Sequence, residues 1–214
     1  MTITTETYHQ FINSLLLGDR NQCHHIINEH WEKQFPLLII YEEMIKKAMY
    51  EVGDLWEANK ISVATEHLSS GIIESILNDL QLKLKHSANK KNTVLTACVE
   101  NEFHQIGIKM IGDVFEKNGW KSYFLGANTP NRELVKFASL IQPDVFAVSL
   151  SIYSHLPALE KLILAIRTKF PKHLIAVGGQ AFRHGGEETI AQYENVVLLQ
   201  DTFHTEKFIK TLSA

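Results

Sequence analysis

The segment TVLTACVENEFHQIG, residues 93–107, decides how the rest of the chain can be arranged. Its first part, Thr93 to Val99, is a short run of mostly apolar residues, which is typical of a buried strand. The hexapeptide from Glu102 to Gly107 follows, with the pattern acid-x-His-x-x-Gly. A helix is predicted from about Ile106 to Asn118. Together these elements are typical of an α/β domain with a ligand site after the strand.

Two further signals follow the hexapeptide at set distances. Ser149 comes after Gly107 with 41 residues between them, and Gly178-Gly179 comes after Ser151 with 26 residues between them. The two signals fall at or just after the ends of predicted strands. Because ligands of open α/β sheets bind beyond the carboxyl ends of the strands, the three signals are expected to converge on one site.

His104 is the candidate metal ligand of this site. A neutral imidazole binds borderline transition metals well. Glu102 can accept the proton on the other ring nitrogen, which would fix the tautomer and make the imidazole more basic. Gly107 and the double glycine allow the backbone to approach a large ligand closely. The alternative is a surface-loop histidine beside a solvated glutamate.

With its spaced serine and glycines, the hexapeptide resembles the cobalamin-binding domain of methionine synthase, the corrinoid methyl carriers, the adenosylcobalamin mutases and the cobalamin photoreceptors. The resemblance implies that His104 ligates cobalt from below and displaces the cofactor's benzimidazole base. It also implies that Ser149, Ser151, Gly178 and Gly179 line the slot for the displaced nucleotide tail. The sequence departs from the family pattern in having glutamate for the more usual aspartate at Glu102, and Ser-Leu-Ser for the usual Ser-x-Leu.

The region before the hexapeptide reads as helices. Apolar residues recur at helical spacing, which predicts four helices with short connections and therefore a bundle. One helix is predicted from Leu37 to Trp56, and the next has Ser62 as its N-cap. The first predicted domain is therefore a helical bundle cap, residues 1–86. A polar, lysine-rich stretch from His86 to Asn92 is predicted to be a linker.

Beyond the linker, strands alternate with helices. This order predicts a doubly wound, five-stranded parallel sheet of the flavodoxin or Rossmann-like kind, residues 92–214. The strands are predicted at Thr93–Val99, Lys121–Leu125, Val145–Leu150, His173–Val177 and Val196–Leu199.

A second signal lies in the helical part, where nine residues separate Trp56 from the pair Glu66-His67. On one continuous helix, ten steps of about 100° would place them on different faces. Across a turn near Asn59-Lys60, the side chains can converge. The pattern resembles the helical cap of adenosylcobalamin photoreceptor regulators, which implies that Trp56 packs beside the upper cobalt ligand and that Glu66 and His67 meet the adenosyl group. The alternative is a core tryptophan with an unrelated Glu-His pair.

Glu57 departs from that pattern. The photoreceptor regulators carry a histidine directly after the tryptophan, and the resemblance implies that this histidine can ligate cobalt after photolysis. A carboxylate is a poorer ligand for cobalt in a nitrogen-rich macrocycle, so a bis-histidine light state is not expected. Those regulators also carry a DNA-binding winged helix before the cap. This sequence begins close to the cap, so any output is expected to pass through a protein partner or a homo-oligomer, without direct nucleic-acid binding.

Composition argues against several classes of protein. A formal net charge of −3 and a pI near 6.4 argue against a general nucleic-acid binder. Cys23 and Cys98 are far apart and fit neither a disulfide framework nor a zinc site, which favours a reducing, cytoplasmic setting. The first residues lack the features of an export signal, and the longest apolar run is too short to span a bilayer.

Three functions are compatible with these residues. The first is a sensory or light-responsive module that binds adenosylcobalamin and acts through a partner. The second is a corrinoid methyl carrier, which would hold methylcobalamin between two partner enzymes. The third is a cobalamin-free α/β scaffold with a degenerate site. The pattern of Trp56, Glu66 and His67 favours the sensor, because a carrier must expose the upper face of its cofactor. A cofactor carries the chemistry in the first two cases, so a binding protein is expected more than an enzyme.

The other histidines are less informative. His155 and His184 follow the third and fourth strands, and either could approach the tail pocket. His24, His25 and His30 are expected on a polar helix face, where solvated side chains are the usual outcome.

Overall fold

The computed structural model describes residues 1–84 and 92–212 and divides into two compact units, Met1–Lys83 and Leu84–Ala214. The predicted linker from His86 to Asn92 lies outside the described residues, except for Asn92. Within the described ranges, no helix combines the length and the apolar character needed to cross a membrane.

The first unit is the predicted four-helix bundle. Its third helix is continuous but changes winding, because a π-helical stretch lies between two α-helical ones. Large apolar side chains from all four helices fill the core, including Phe11, Leu15, Ile27, Tyr41, Met44 and Ile73. The elements are α1 (Thr5–Leu16), α2 (Arg20–Glu32), α3 (Leu37–Ile39), the π-helical stretch Ile40–Lys46, α4 (Lys47–Glu57) and α5 (Val63–Lys83).

The turn between α4 and α5 has the predicted form. Asn59 adopts a left-handed backbone conformation with φ of 55°, just beyond the end of α4. Asparagine tolerates this conformation better than most residues, so it is a suitable helix terminator. The backbone N–H of Thr65 donates to Oγ of Ser62 at 3.1 Å, which confirms Ser62 as the N-cap of α5.

The second unit contains the predicted parallel sheet. Its elements are β1 (Thr93–Cys98), α6 (Ile106–Lys117), β2 (Lys121–Gly126), α7 (Asn131–Ile141), β3 (Val145–Ser149), α8 (Leu156–Lys169), β4 (Leu174–Gly178), α9 (Glu187–Ala191), β5 (Val196–Leu198) and α10 (Thr202–Leu212). Two 3₁₀ turns, Tyr153–His155 and Gln180–His184, follow β3 and β4. The strands lie in the order β2-β1-β3-β4-β5, and all neighbours pair in parallel. In this flavodoxin-like order, the topological switch point lies between β1 and β3.

The two faces of the sheet carry side chains of different size. On one face, the strands meet α7, α8 and α9 in a large apolar cluster that includes Leu95, Phe146, Val148, Leu162, Ile166, Ile175 and Val177. The alternate residues of each strand point to the opposite face. There the last cross-strand row is small, because Cys98 pairs with Ser149 and Ser149 pairs with Gly178. The opposite face of the sheet therefore carries only small side chains in this row at the carboxyl edge.

The double glycine is required by the protein's own backbone. Gly179 has a φ of 118°, and a Cβ there would lie 2.2 Å from the carbonyl oxygen of Leu150. A Cβ on Gly178 would lie 2.6 Å from the carbonyl oxygen of Leu199. The segments that follow β3, β4 and β5 thus come together at these two residues. Any side chain here would push them apart.

Replacing Gly179 with alanine should destabilise the cofactor-free protein by about 1–3 kcal/mol, because the change adds backbone strain and a steric clash. Gly107→Ala is a matched control in the same unit, since a Cβ at Gly107 would meet no atom of the described residues within 4 Å. The control should change the free energy of unfolding by less than about 1 kcal/mol. Urea unfolding followed by circular dichroism measures both. Equal stability of Gly179→Ala and wild type would contradict the packing described.

Candidate functional site

The buried side chain of Glu102 forms the centre of the site. It lies on the loop between β1 and α6 and is 0% exposed. Its Oε1 accepts hydrogen bonds from the backbone N–H of His104, at 3.1 Å, and from Nδ1 of the same residue. Its Oε2 accepts the backbone N–H groups of Ser151 and Ile152, both at 3.0 Å. The carboxylate therefore joins the loop after β1 to the loop after β3, across the switch point of the sheet.

These hydrogen bonds keep Glu102 ionised. Burial alone would raise the pKa of its carboxyl, but hydrogen bonds from the ring and backbone N–H of His104 and from the backbone N–H of Ile152 outweigh burial and lower the pKa from 4.5 to about 2. An ionised carboxylate only accepts hydrogen bonds, so Nδ1 of His104 carries the proton that faces it. Nε2 is then the nitrogen that would bind a metal.

The side chain of His104 is 58% exposed, whereas that of its partner Glu102 is fully buried. Phe103 on the same loop is also exposed, as are Ile152 and Tyr153 on the loop after β3. Three apolar side chains and one oriented imidazole thus lie on the two loops of the switch point. This combination suits a ligand that has a broad apolar face and a metal with an open coordination position.

The loop of His104 is also fixed on the side of β2. The backbone N–H of Ala127 donates to Oε1 of Gln105 at 3.1 Å. Asn128 donates its backbone N–H to the carbonyl oxygen of Glu102 and accepts the backbone N–H of Asn101, both at 2.9 Å. The His104 loop is therefore held from both sides before any ligand binds. The sequence analysis missed these contacts; the only signal for them was the turn-forming character of the two asparagines.

The structure brings most of the predicted residues of the α/β unit to one edge. Ser149 is buried at the end of β3, between Cys98 and Gly178. Ser151 contributes through its backbone N–H, which does not depend on its side chain. Gly107 lies in the first turn of α6 and is exposed.

His155 lies at a position that the sequence analysis did not predict. The sequence allowed it to approach the tail pocket, and its Nδ1 lies 3.4 Å from Oε2 of Glu102. That nitrogen is buried and makes no hydrogen bond with any residue the structure describes. His184, the other histidine that follows a strand, is exposed on the 3₁₀ turn after β4.

In the helical unit, the predicted pattern lies at the turn between α4 and α5. Trp56 is in the last turn of α4 and is 45% exposed, so it is not a fully buried core residue. Glu66 accepts a hydrogen bond from Oγ of Ser70 at 2.7 Å, and its other oxygen lies 2.5 Å from Nδ1 of His67. The His67 side chain is 74% exposed. Glu57, the last residue of α4, is also exposed.

The expectation for the histidines of α2 is wrong for His30. That ring is buried, its Nδ1 lies 2.8 Å from the carbonyl oxygen of Ile26, and it packs edge-on against Phe35 with 4.7 Å between ring centroids. His25 is exposed, as expected. His24 lies 3.0 Å from a carboxylate oxygen of Asp79.

A flavodoxin-like sheet with a histidine oriented by a buried carboxylate at its switch point defines a class of protein, an α/β domain with a ligand site beyond the carboxyl ends of its strands. Family models identify the class more closely. A model described as B12 binding domain matches residues 92–202, and a second one, also described as B12 binding domain, matches residues 7–81. The chain belongs to the B12-binding domain family and is a cobalamin-binding protein.

Curated relatives are of two kinds. The HTH-type transcriptional repressor CarH of Myxococcus xanthus is 26% identical over 151 residues, which cover 69% of this chain and 49% of the repressor. Dimethylamine corrinoid protein 1 of Methanosarcina acetivorans is 23% identical over 129 residues, which cover 58% of this chain and 59% of that protein. The matches thus span only about half the length of these relatives.

Among solved structures, the Methanosarcina barkeri monomethylamine corrinoid protein has a TM-score of 0.83 to this chain at 15% identity. The match covers 98% of this chain and 100% of that one. A likeness at this level of identity shows a shared fold.

Glu102→Gln should destabilise the cofactor-free protein by about 1–3 kcal/mol, because either orientation of the amide sets its NH₂ group against buried N–H donors. Folding lowers the pKa of Glu102 from 4.5 to about 2. The stabilisation by the charged form is therefore complete above pH 4.5 and is lost as the pH falls through about 2. The difference between wild type and variant should shrink over that window.

Urea unfolding at several pH values measures this difference. Glu100→Gln is the control, because Glu100 lies on the same loop and is partly exposed. If both variants unfold at the urea concentration that unfolds wild type, Glu102 is not the anchor of the loop.

Proposed function

We propose that the chain binds cobalamin with the cofactor's benzimidazole base displaced and with Nε2 of His104 as the lower cobalt ligand. The observation that carries this proposal is the hydrogen bond from Nδ1 of His104 to the buried, ionised Glu102. A carboxylate in this position fixes the tautomer of a metal-bound histidine and raises its basicity. The residues present therefore fit a cobalt ion that offers one lower coordination position.

The displaced nucleotide tail is proposed to enter beside the small cross-strand row of Cys98, Ser149 and Gly178. Cys98 and Ser149 are buried and the carbonyl oxygen of Leu199 lies where a side chain of Gly178 would be, so a base would lie against the sheet there only by displacing the segment after β5. Gly107 and Gly179 border the same carboxyl edge and are proposed to make further backbone contacts with the cofactor. The backbone N–H of Ser151 is already used by Glu102, so Ser151 would serve mainly to hold the ligand loop.

Trp56, Glu66 and His67 are proposed to face the upper side of the corrin. Exposure of the tryptophan and the hydrogen-bonded string of Ser70, Glu66 and His67 support this role, because such groups could stack on and orient an adenosyl substituent. Bound adenosylcobalamin would supply a weak cobalt–carbon bond. Trp56 would shield this bond from water, while Glu66 and His67 would hold the adenosyl group.

We infer that the protein is a sensory module that binds adenosylcobalamin and acts through a protein partner or through self-association. The pattern of Trp56, Glu66 and His67 supports this function, as does the similarity to a transcriptional repressor. A corrinoid methyl carrier is the second candidate. Glu57, which stands where a sensor of the photoreceptor kind has histidine, favours the carrier, as does the similarity to a dimethylamine corrinoid protein.

His104→Ala should abolish or greatly weaken the binding of hydroxocobalamin and remove the spectrum of imidazole-ligated cobalt. Glu102→Gln should weaken binding by about 10- to 100-fold, because it removes only the partner of the ligand. His25→Ala is the control, since that exposed histidine lies on α2 and has no part in the proposed site. Absorption titrations measure all three variants. Unchanged binding and an unchanged spectrum in His104→Ala would exclude His104 as the ligand.

Illumination of the protein loaded with adenosylcobalamin separates the two candidate functions. A sensor should prefer adenosylcobalamin over hydroxocobalamin, lose that preference in Trp56→Ala and change its assembly in light. Because Glu57 offers no imidazole, the illuminated cobalt should carry an easily exchanged upper ligand. Titrations, absorption spectra and size-exclusion chromatography measure these properties. Equal affinity for the two cobalamins and no effect of light on assembly would favour the carrier.

A further inference from the structure

One more side chain reaches the carboxylate of Glu102. His155 lies at the end of the turn Tyr153–His155, directly before α8, and its Nδ1 is 3.4 Å from Oε2 of Glu102. The nitrogen is buried and makes no hydrogen bond within residues 1–84 and 92–212. His155 occupies the N-cap position of α8, but no capping hydrogen bond from its side chain is found among these residues. The ring does not cap the helix, and its Nδ1 lies beside the carboxylate of Glu102.

The proton on Nδ1 of His155 can be assigned from its surroundings. Each carboxylate oxygen of Glu102 already accepts two N–H groups, so neither oxygen carries a proton that it could donate to His155. An unprotonated Nδ1 would set its lone pair against the oxygen of a buried carboxylate, where little water screens the repulsion. In the neutral ring, the proton therefore belongs on Nδ1. In the charged ring both nitrogens carry protons, so the assignment holds for either charge state of His155.

We propose that His155 is a positioning residue that acts on His104 through Glu102. Two histidines then place an Nδ1–H group beside one carboxylate, each near a different oxygen. At 3.4 Å, the N–H dipole of His155 attracts negative charge to Oε2 and away from Oε1, where His104 is held. A less negative Oε1 makes the imidazole of His104 less basic. His155 therefore weakens the bond from His104 to cobalt, which adjusts the strength of the lower ligand.

The effect on cobalt rests on the proposed function, whereas the effect on the ring of His104 does not. The first experiment therefore uses the full chain without cobalamin, with ¹⁵N-labelled histidine. Nuclear magnetic resonance should find His155 protonated at Nδ1. In His155→Phe, which keeps a ring but has no N–H, the Nδ1 proton of His104 should move downfield, because its hydrogen bond to Glu102 becomes stronger. His155→Asn, whose amide N–H can occupy the place of Nδ1–H, should restore the wild-type position.

The second experiment measures the affinity of the same variants for hydroxocobalamin. Loss of the partner of a metal-bound histidine changes metal affinity about 10- to 100-fold. Removing His155 leaves Glu102 in place and changes only the charge on its two oxygens, so the affinity for hydroxocobalamin should change by less, about two- to fivefold. His155→Phe should therefore bind more tightly by about this factor, and His155→Asn should bind like wild type. His25→Phe is the control, because it makes the same change at an exposed histidine of α2 that has no part in the proposed site, and it should have no effect.

Two results would overturn the proposal. One is the finding that His155 of the wild type is protonated only at Nε2. This measurement needs no variant, so it can be made even if His155→Phe fails to fold. The other is an Nδ1 proton of His104 at the same position in wild type, His155→Phe and His155→Asn. If the Nδ1 proton of His104 shifts as expected but the protein binds no cobalamin, the action of His155 on Glu102 is upheld. That result would instead contradict the role of His104 as the cobalt ligand.

Discussion

The structure of the site depends on a charge that is buried and fully hydrogen-bonded. An isolated carboxylate in a protein interior is strongly destabilising, so Glu102 can be buried only where donors surround it. The donors come from two loops, one after β1 and one after β3. The requirement for four donors therefore fixes how these loops sit at the switch point. The buried carboxylate of Glu102 also fixes the orientation of the exposed ring of His104, because the two side chains are hydrogen-bonded.

This constraint explains which parts of the site the sequence could predict. The strands follow from short apolar runs and the candidate metal ligand from the hexapeptide, so the fold class and the position of His104 after a strand end were predictable. The donors Ser151 and Ile152 act through backbone N–H groups, which leave no trace in residue type. For the same reason a solvated Glu102 stayed open as an alternative until the structure showed it buried. His30 was misassigned because a hydrogen bond to a backbone carbonyl lets a histidine enter a core.

The double glycine is part of the cobalamin-binding motif, but its presence in this fold has a second physical reason, the close packing of the backbone. Gly178 and Gly179 lie against backbone carbonyls of neighbouring segments, so the fold needs them whether or not a ligand binds. A chain of this fold that had lost its cofactor would still need these glycines. Glu102 and His104 differ, because a buried charge beneath an exposed imidazole does nothing for the packing of the sheet. The hexapeptide is therefore the stronger evidence for a ligand, and the glycines are stronger evidence for the fold.

The same distinction applies to the choice between sensor and carrier. A buried carboxylate that orients a lower ligand is useful to any protein that holds cobalamin by a histidine, whatever happens on the opposite face of the corrin. Nothing on the loops after β1 and β3 can therefore separate the two functions. Residues that differ between them must belong to the surface that meets the upper ligand. In this chain the candidates are Trp56, Glu57, Glu66 and His67, which lie at one helix–turn–helix of the bundle. Three of these residues favour a sensor and Glu57 favours a carrier, so the function depends on whether the upper cobalt ligand is enclosed or offered to a partner.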